Sequence, residues 1–284
     1  MKKLLKKISL AGLILLITWA FIAPGCMQFR MADSEAKKQF HETGVELVTN
    51  TVEVEKHQLH YAKTGNDSLP TLVFVHGSPG SWEAFARYMQ DSDLLKKFRM
   101  ISIDRPGFGY SDFRHPEHLE EQSRLISPLF NRWKNGKPVF LAGHSLGGPM
   151  IIQLNADNPG LVSGLVLLAA SVDPAEEKKE YWRYIMNGAL LQYLLPGAFR
   201  PSNRELVYFK SDILRLQDKF DDVTCKVFIV HGTKDDFVPP GNAQYAAKKL
   251  VHASSVETTM IPGANHFIPW QHYDTIKAVL MKLY

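Results

Sequence analysis

The chain has 284 residues, 45% of them hydrophobic and 22% charged, enough for one large α/β domain and a short N-terminal segment but not for a second full domain. Its formal net charge is only +4, and its densest basic run, Lys2, Lys3, Lys6 and Lys7, stands at the N-terminus, so nucleic-acid binding is not expected. Two cysteines far apart, Cys26 and Cys225, exclude a disulfide framework, and with no clustered ligands neither a metal nor a cofactor is expected.

Residues 1–29 read as a signal or membrane anchor, because the four lysines precede an uncharged stretch from Ile8 to Phe29 that Arg30 ends. The strongly apolar part, Ile8 to Ala23, is long for a cleaved signal and slightly short for a comfortable span. Three readings stay open. An uncleaved anchor with its lysines in the cytoplasm would put the body on the non-cytoplasmic side, in the periplasm or cell envelope. A bacterial lipoprotein would be lipidated on Cys26, since Ala23-Pro24-Gly25-Cys26 resembles a lipobox in its Gly-Cys pair, although Pro24 and the missing leucine three residues before Cys26 depart from it. Simple secretion is the third. Residues 30–50, polar and irregular from Asp33 to Glu46, are expected to form a tether.

The body is expected over residues 51–284. Alternation in Thr51–Glu55 and Leu59–Ala62 predicts an antiparallel hairpin at a sheet edge. Then come short continuous apolar runs, Thr71–Val75, Met100–Ile103, Val139–Ala142, Leu165–Ala169, Val227–Val230 and Val256–Ile261. Between and after them lie helical periods over Trp82–Met89, Leu119–Trp133, Pro149–Ala156, Ala243–Leu250 and Tyr273–Leu283. This βαβ rhythm predicts an α/β fold with a mostly parallel, doubly wound sheet buried on both faces. From about residue 173 to 222 no strand-like run occurs, and aromatic and leucine clusters at helical spacing predict a short helical cap.

The sharpest local signal is Gly143-His144-Ser145-Leu146-Gly147, a G-x-S-x-G run between a buried strand and a helix. A serine on a tight strand-to-helix turn takes strained backbone angles, and flanking residues without a Cβ let neighbouring chain pass closely. Ser145 is expected to project above the sheet as a nucleophile.

With its other loops, the sequence over residues 50–284 resembles the α/β-hydrolase superfamily, in the branch with a serine nucleophile. His76-Gly77-Ser78-Pro79-Gly80 is similar to the family's H-G-x-P loop, which implies an oxyanion hole built from the backbone N–H groups of Ser78 and Leu146 and a structural role for His76. Asp104-Arg105-Pro106-Gly107-Phe108-Gly109-Tyr110-Ser111 resembles the D-x-P-G-x-G-x-S turn and implies no acid–base role. His231 to Pro239 resembles the G-x-x-D-x-x-V-P loop, with Asp235 at the acid position and Asp236 beside it. Asp173 stands where some members keep their acid instead. Pro262 to Phe267 resembles the G-x-x-H loop and offers His266 as the base, while His252 and His272 are expected to be solvated. The order serine, acid, histidine is the family's own, so the resemblance implies a triad of Ser145, Asp235 and His266.

A serine in this position disfavours the epoxide hydrolases and haloalkane dehalogenases of the family, which attack with a carboxylate. The leading expectation is a serine esterase that cleaves a carboxylic ester through an acyl-enzyme. Lactone, thioester, amide or carbon–carbon hydrolysis and perhydrolysis are alternatives on the same triad. A non-catalytic, membrane-tethered binding protein is the alternative from another class. Cap residues such as Tyr181, Trp182, Tyr184, Leu190 and Tyr193 argue as a group for an apolar or aromatic acyl group, although each alone is expected to pack the cap onto the sheet. The expected partners are a small acyl substrate and, through the N-terminus, a membrane. The oligomeric state is not legible.

Overall fold

The computed structural model describes residues 2–284, with side chains from residue 10 onward. The side chains of Lys2, Lys3, Lys6 and Lys7 therefore lie outside the described residues. The strands are β1 (Val48–Val54), β2 (His57–Thr64), β3 (Thr71–Val75), β4 (Arg99–Ile103), β5 (Val139–His144), β6 (Val162–Leu168), β7 (Lys226–Gly232) and β8 (Ser255–Ile261). The α-helices are α1 (Lys2–Ile22), α2 (Asp33–Glu42), α3 (Ala86–Met89), α4 (Ser92–Lys97), α5 (Leu119–Trp133), α6 (Gly147–Asp157), α7 (Tyr181–Met186), α8 (Phe199–Arg215), α9 (Gly241–Lys249), α10 (Ile268–Gln271) and α11 (Tyr273–Met281).

All eight strands form one sheet in the order β1-β2-β4-β3-β5-β6-β7-β8. The expected hairpin is its antiparallel edge, and β2 also runs antiparallel to β4, while the remaining neighbours are parallel. Every residue of β3, β4 and β5 is buried, which explains why they read as unbroken apolar runs. Alternate residues serve opposite faces, as the strand period requires. Val73 and Val75 pack with Leu125, Leu129 and Trp133 of α5 and with Met150 and Leu154 of α6. Leu72 and Phe74 pack with Tyr88 of α3, Leu94 of α4 and Val279 and Leu280 of α11.

Residues 33–42 correct the expectation of an irregular tether, because they form α2. Asp33 and Glu35 occupy its first turn, where carboxylates favour the positive end of the helix dipole. Ala36 and Phe40, one turn apart, are buried in the main core, with the Phe40 ring 6.0 Å from that of Trp82. Burying such a side chain stabilises by roughly 1.5–3 kcal/mol. Only two apolar residues among eight polar ones carry that contact, too few for the pattern to announce it.

The chain between α1 and α2 is also docked. Ala23 is fully buried, and its carbonyl accepts the Gly197 N–H at 2.9 Å while the Met27 carbonyl accepts that of Ala198 at 3.0 Å. Trp19 Nε1 donates to the Leu194 carbonyl at 2.9 Å. Among the described residues, no helix is long and apolar enough to cross a membrane.

The helical insertion stands between β6 and β7. It comprises α7, a 3-10 turn at Leu191–Leu194, α8 and a further turn at Leu216–Phe220. Phe209 and Ile213 tie α8 to the sheet. The expectation that the cap aromatics pack inward fails for α7, which buries none of its residues. Tyr181, Trp182, Tyr184, Leu190 and Tyr193 are all exposed.

Candidate active site

Ser145 follows β5 directly and has a φ of 56°, in the left-handed region that costs a residue with a Cβ of order 1 kcal/mol or more. The turn is held from both sides. The Ser145 N–H donates to the Leu168 carbonyl at 2.9 Å, and its own carbonyl accepts the Gly148 N–H at 2.9 Å. A side chain on Gly143 would collide with the Gly147 carbonyl, and one on Gly147 with that of Val75. The two glycines are therefore demanded by close packing of elbow, helix and β3.

His266 follows β8, and its Nδ1 lies 2.7 Å from Asp235 Oδ2. The other oxygen of Asp235 accepts the N–H groups of Phe237 and Val238 at 3.0 and 2.8 Å, so the carboxylate cannot swing away. Burial opposes its ionisation, but hydrogen bonds from His231 and His266 outweigh burial and hold its pKa well below the usual carboxylate range. The ionised carboxylate can only accept, so Nδ1 of His266 donates to Asp235 and the ring is held in a fixed orientation. Asp236 is exposed, and Asp173 instead caps the Ala175 N–H at 2.8 Å.

Ser145 and His266 are linked through His144. Its ring centroid is 4.8 Å from that of His266, and its Nε2 lies 3.0 Å from the His266 carbonyl oxygen. Burial and then the neighbouring His266 lower the pKa of His144 to about 3, so it is neutral and donates from Nε2 to that carbonyl. Among the described residues no hydrogen bond joins the Ser145 hydroxyl to His266. Such bonds are often long before substrate arrives.

The backbone N–H groups of Ser78 and Leu146 make no hydrogen bond among the described residues. The space a side chain on Gly77 would need is bounded by the Cβ of Ser145, which brings this loop against the elbow. Beneath it Arg105 acts as a clamp. Its backbone N–H donates to His76 Nε2, its Nε to the His76 carbonyl and its Nη2 to the Gly77 carbonyl, each at 3.0 Å. The same guanidinium binds Glu205 of α8 through both oxygens, at 2.5 and 3.1 Å, and both side chains are fully buried. His76, its pKa pushed far down by burial and then by Arg105, is neutral and structural. Ser202, one turn before Glu205, places its Oγ 3.0 Å from that of Ser78.

Neither His144 as a brace nor Glu205 as the partner of Arg105 was legible in the sequence. Position 144 falls at a variable place of the motif, and 100 residues separate the ion pair.

Around His266 lies an aromatic rim. The rings of Phe237 and Phe267 are centred 5.6 and 5.9 Å from its own, and Trp270 stands 5.2 Å from His144. All three are exposed. A solvent-open cavity of about 640 Å³ between α5 and α6, lined in part by Arg124, Gln153 and Asp157, contains none of these residues. Among the described residues no cluster of three or more His, Cys, Asp or Glu could hold a metal.

Comparison with known proteins bears on the fold. A family model described as the alpha/beta hydrolase fold matches residues 70–220. A pimeloyl-[acyl-carrier protein] methyl ester esterase of Nitrosomonas europaea is 24% identical over 250 residues, covering 73% of this chain and 92% of that protein. Epoxide hydrolase 1 of Caenorhabditis elegans is 28% identical over 120 residues, 40% of this chain, and the match spans only 28% of that enzyme's length. Among solved structures, a membrane phospholipase A superposes over 100% of this chain and 99% of its own with a TM-score of 0.63 at 18% identity. An N-acyl homoserine lactone degrading enzyme, Est816, covers 83% of this chain and 100% of its own with a TM-score of 0.67 at 19% identity. At such identities the superpositions speak for the fold alone.

Proposed function

The chain belongs to the α/β-hydrolase fold family, and on that premise we propose that it is a serine hydrolase that cleaves a carboxylic ester through an acyl-enzyme on Ser145. The observation that carries this reading is the pairing of a strained serine with unspent backbone donors beside it and a carboxylate-oriented histidine on the adjoining loop.

In this mechanism His266 Nε2 takes the Ser145 proton as Oγ attacks the ester carbonyl. Asp235 stabilises the imidazolium without itself being protonated. Negative charge collects on the former carbonyl oxygen, where the N–H groups of Ser78 and Leu146 meet it, and removing one such donor typically costs about 3 kcal/mol. His266 then returns the proton to the departing alkoxide; in the second half a water, giving its proton to the same histidine, attacks the acyl carbon, the bond to Ser145 Oγ breaks as the acid leaves, and the histidine passes the proton back to Oγ. A serine at the elbow, where an epoxide hydrolase needs a carboxylate, weighs toward the esterase among the relatives. The esterase of Nitrosomonas europaea, matched over nearly its whole length, weighs the same way. The rim of Phe237, Phe267 and Trp270 favours an apolar or aromatic acyl group.

Residues 1–29 are, in the same proposal, a segment that holds the body at a membrane on its non-cytoplasmic side, and residues 51–284 are the hydrolase domain with its cap. The buried Ala23 and the acceptor carbonyls of Ala23 and Pro24 favour a segment that stays attached over cleavage before Cys26. The mass of the mature N-terminus tests this, and a chain beginning at a lipidated Cys26 would refute it.

The catalytic test is hydrolysis of activated esters of increasing acyl length by the full chain and by Ser145→Ala. The expected loss is on the order of a millionfold. Equal rates in the two proteins would end the proposal.

A further inference from the structure

The guanidinium groups of this molecule differ in their partners, and Arg87, which stacks on the Tyr273 ring at 3.8 Å, and Arg132 stand apart from the two groups that follow. Arg99, Arg105, Arg124, Arg183 and Arg215 each have a carboxylate partner. Arg30, Arg114, Arg200 and Arg204 have none among the described residues, yet they gather where the segment after α1 meets the 104–116 loop and the first turns of α8. Arg30 and Arg114 stack on the same Phe113 ring, at 4.7 and 5.3 Å. Arg204 reaches the Arg114 carbonyl at 3.5 Å. Arg200 and Arg204 share a single acceptor, Gln192 Oε1, at 2.8 and 3.2 Å.

Their other partners are neutral as well. Arg114 donates to the Pro24 carbonyl at 3.1 Å, and Arg30 to the Gly109 carbonyl at 3.3 Å and to Gln28 Oε1 at 3.0 Å. Four positive charges, each half-buried, are thus held together without a paired carboxylate among the described residues. The effect is visible on Arg114, whose pKa is lowered by burial and then by Arg200 and Arg30. Arg200 and Arg204, four residues apart on α8, also repel each other at the spacing where like charges weaken a helix. Such an arrangement is relieved when an anion enters it, and guanidinium forks match phosphate oxygens in pairs.

The surroundings specify the rest of the ligand. Leu13, Ile17 and Phe21 of α1 and Leu190, Tyr193 and Phe199 of the cap are exposed. The Phe29 and Phe199 rings, 5.7 Å apart, join the two sides beside the arginines. Free phosphate would leave this apolar surface in water. An amphiphile covers it with hydrocarbon while its head rests on the arginines, as basic residues at a membrane surface do.

We propose that Arg30, Arg114, Arg200 and Arg204 form a binding site for the phosphate of a phospholipid headgroup, whose acyl chains lie along the exposed apolar residues of α1 and the cap. The site does not depend on the reaction proposed at Ser145, and it makes the lipid a bound partner whether or not the protein also hydrolyses lipids.

The test is calorimetric titration of the full chain, kept in a neutral detergent, with a short-chain phosphatidylglycerol below its micelle concentration and, separately, with inorganic phosphate. The double variant Arg114→Gln/Arg200→Gln is run in parallel, and hydrolysis of a small soluble ester is read in both proteins. Saturable lipid binding is expected, with phosphate at least about tenfold weaker and lipid affinity in the variant also reduced at least about tenfold. Ester hydrolysis should be unchanged, and the ligand-free melting temperature equal or higher, because repulsion has been relieved. Equal lipid affinity in variant and parent would overturn the site. Phosphate binding as tight as lipid would overturn the lipid as its occupant. If the double variant does not fold, the same titration on Arg30→Gln decides, with undiminished lipid affinity refuting the proposal.

Discussion

The two halves of the cap are built on opposite principles. α8 is bolted down by Phe209 and Ile213 in the core, by Ser202 against Ser78 and by the fully buried pair of Glu205 with Arg105. α7 and the turn after it bury no side chain, and Tyr181, Ile185 and Leu190 stand 75%, 64% and 83% exposed. Stability is unevenly distributed in proteins, and segments with few buried contacts open first. Here the firm half touches the loop that carries Ser78, one of the candidate oxyanion donors, and the loose half carries apolar surface. One insertion thus combines a firmly packed helix with a loosely packed one.

The largest expected effect comes from Glu205→Ala, which strands the Arg105 guanidinium in the interior. Breaking a buried pair from one side costs roughly 3–5 kcal/mol, and urea denaturation of parent and variant measures it. Because Arg105 also holds the carbonyls of His76 and Gly77, kcat on a soluble ester should fall more than KM changes. A loss well below 1 kcal/mol would erase the distinction between the two halves.

Acidification tests the frame to which α8 is bolted. His76 and His144 have folded pKa values far below the ordinary 6.5, that of His144 at about 3. Between about pH 6.5 and pH 3 the unfolded chain therefore binds more protons than the native one, and stability falls as pH falls. The slope is about 1.4 kcal/mol per pH unit for each buried histidine, or about 2 kcal/mol each between pH 6.5 and 5. Asp235 adds to the same trend only below about pH 4, because its pKa is depressed from the ordinary carboxylate value. Denaturation midpoints from pH 8 to pH 5 should be flat above pH 6.5 and decline below it. A midpoint unchanged at pH 5 would contradict the neutral, buried state of both rings.

Smallest in stability is Ile185→Ser on α7, expected within about 0.5 kcal/mol of the parent. Its sharper consequence is kinetic, since KM for long-chain esters should rise while that for acetyl esters stays. A loss of several kcal/mol would mean that α7 is as firmly anchored as α8.

What the sequence disclosed follows from how local each signal is. Thr71–Val75 and Leu119–Trp133 were read with the boundaries they have, because a strand buried on both faces and an amphipathic helix write their period into consecutive residues. Ser145, Asp235 and His266 were legible as candidates because each sits in a short loop motif after a strand, and the structure brings the last two into contact. α2 escaped because Ala36 and Phe40 alone mark its buried face. Glu205 escaped because nothing near it in sequence distinguishes a buried carboxylate from a solvated one. The outward-facing aromatics of α7 escaped because spacing reports the face of a helix and not whether anything covers it.

The hydrogen bond from His144 to the His266 carbonyl has a mechanical consequence. Strands β5 and β8, which deliver Ser145 and His266, have β6 and β7 between them in the sheet, so small changes in twist or spacing would accumulate across three strand junctions before reaching the site. A direct tie at the top of the sheet takes Ser145 and His266 out of that chain of tolerances. Thermal breathing of the sheet then carries both loops in common mode, and their separation is governed by one short link and not by the width of the scaffold beneath them.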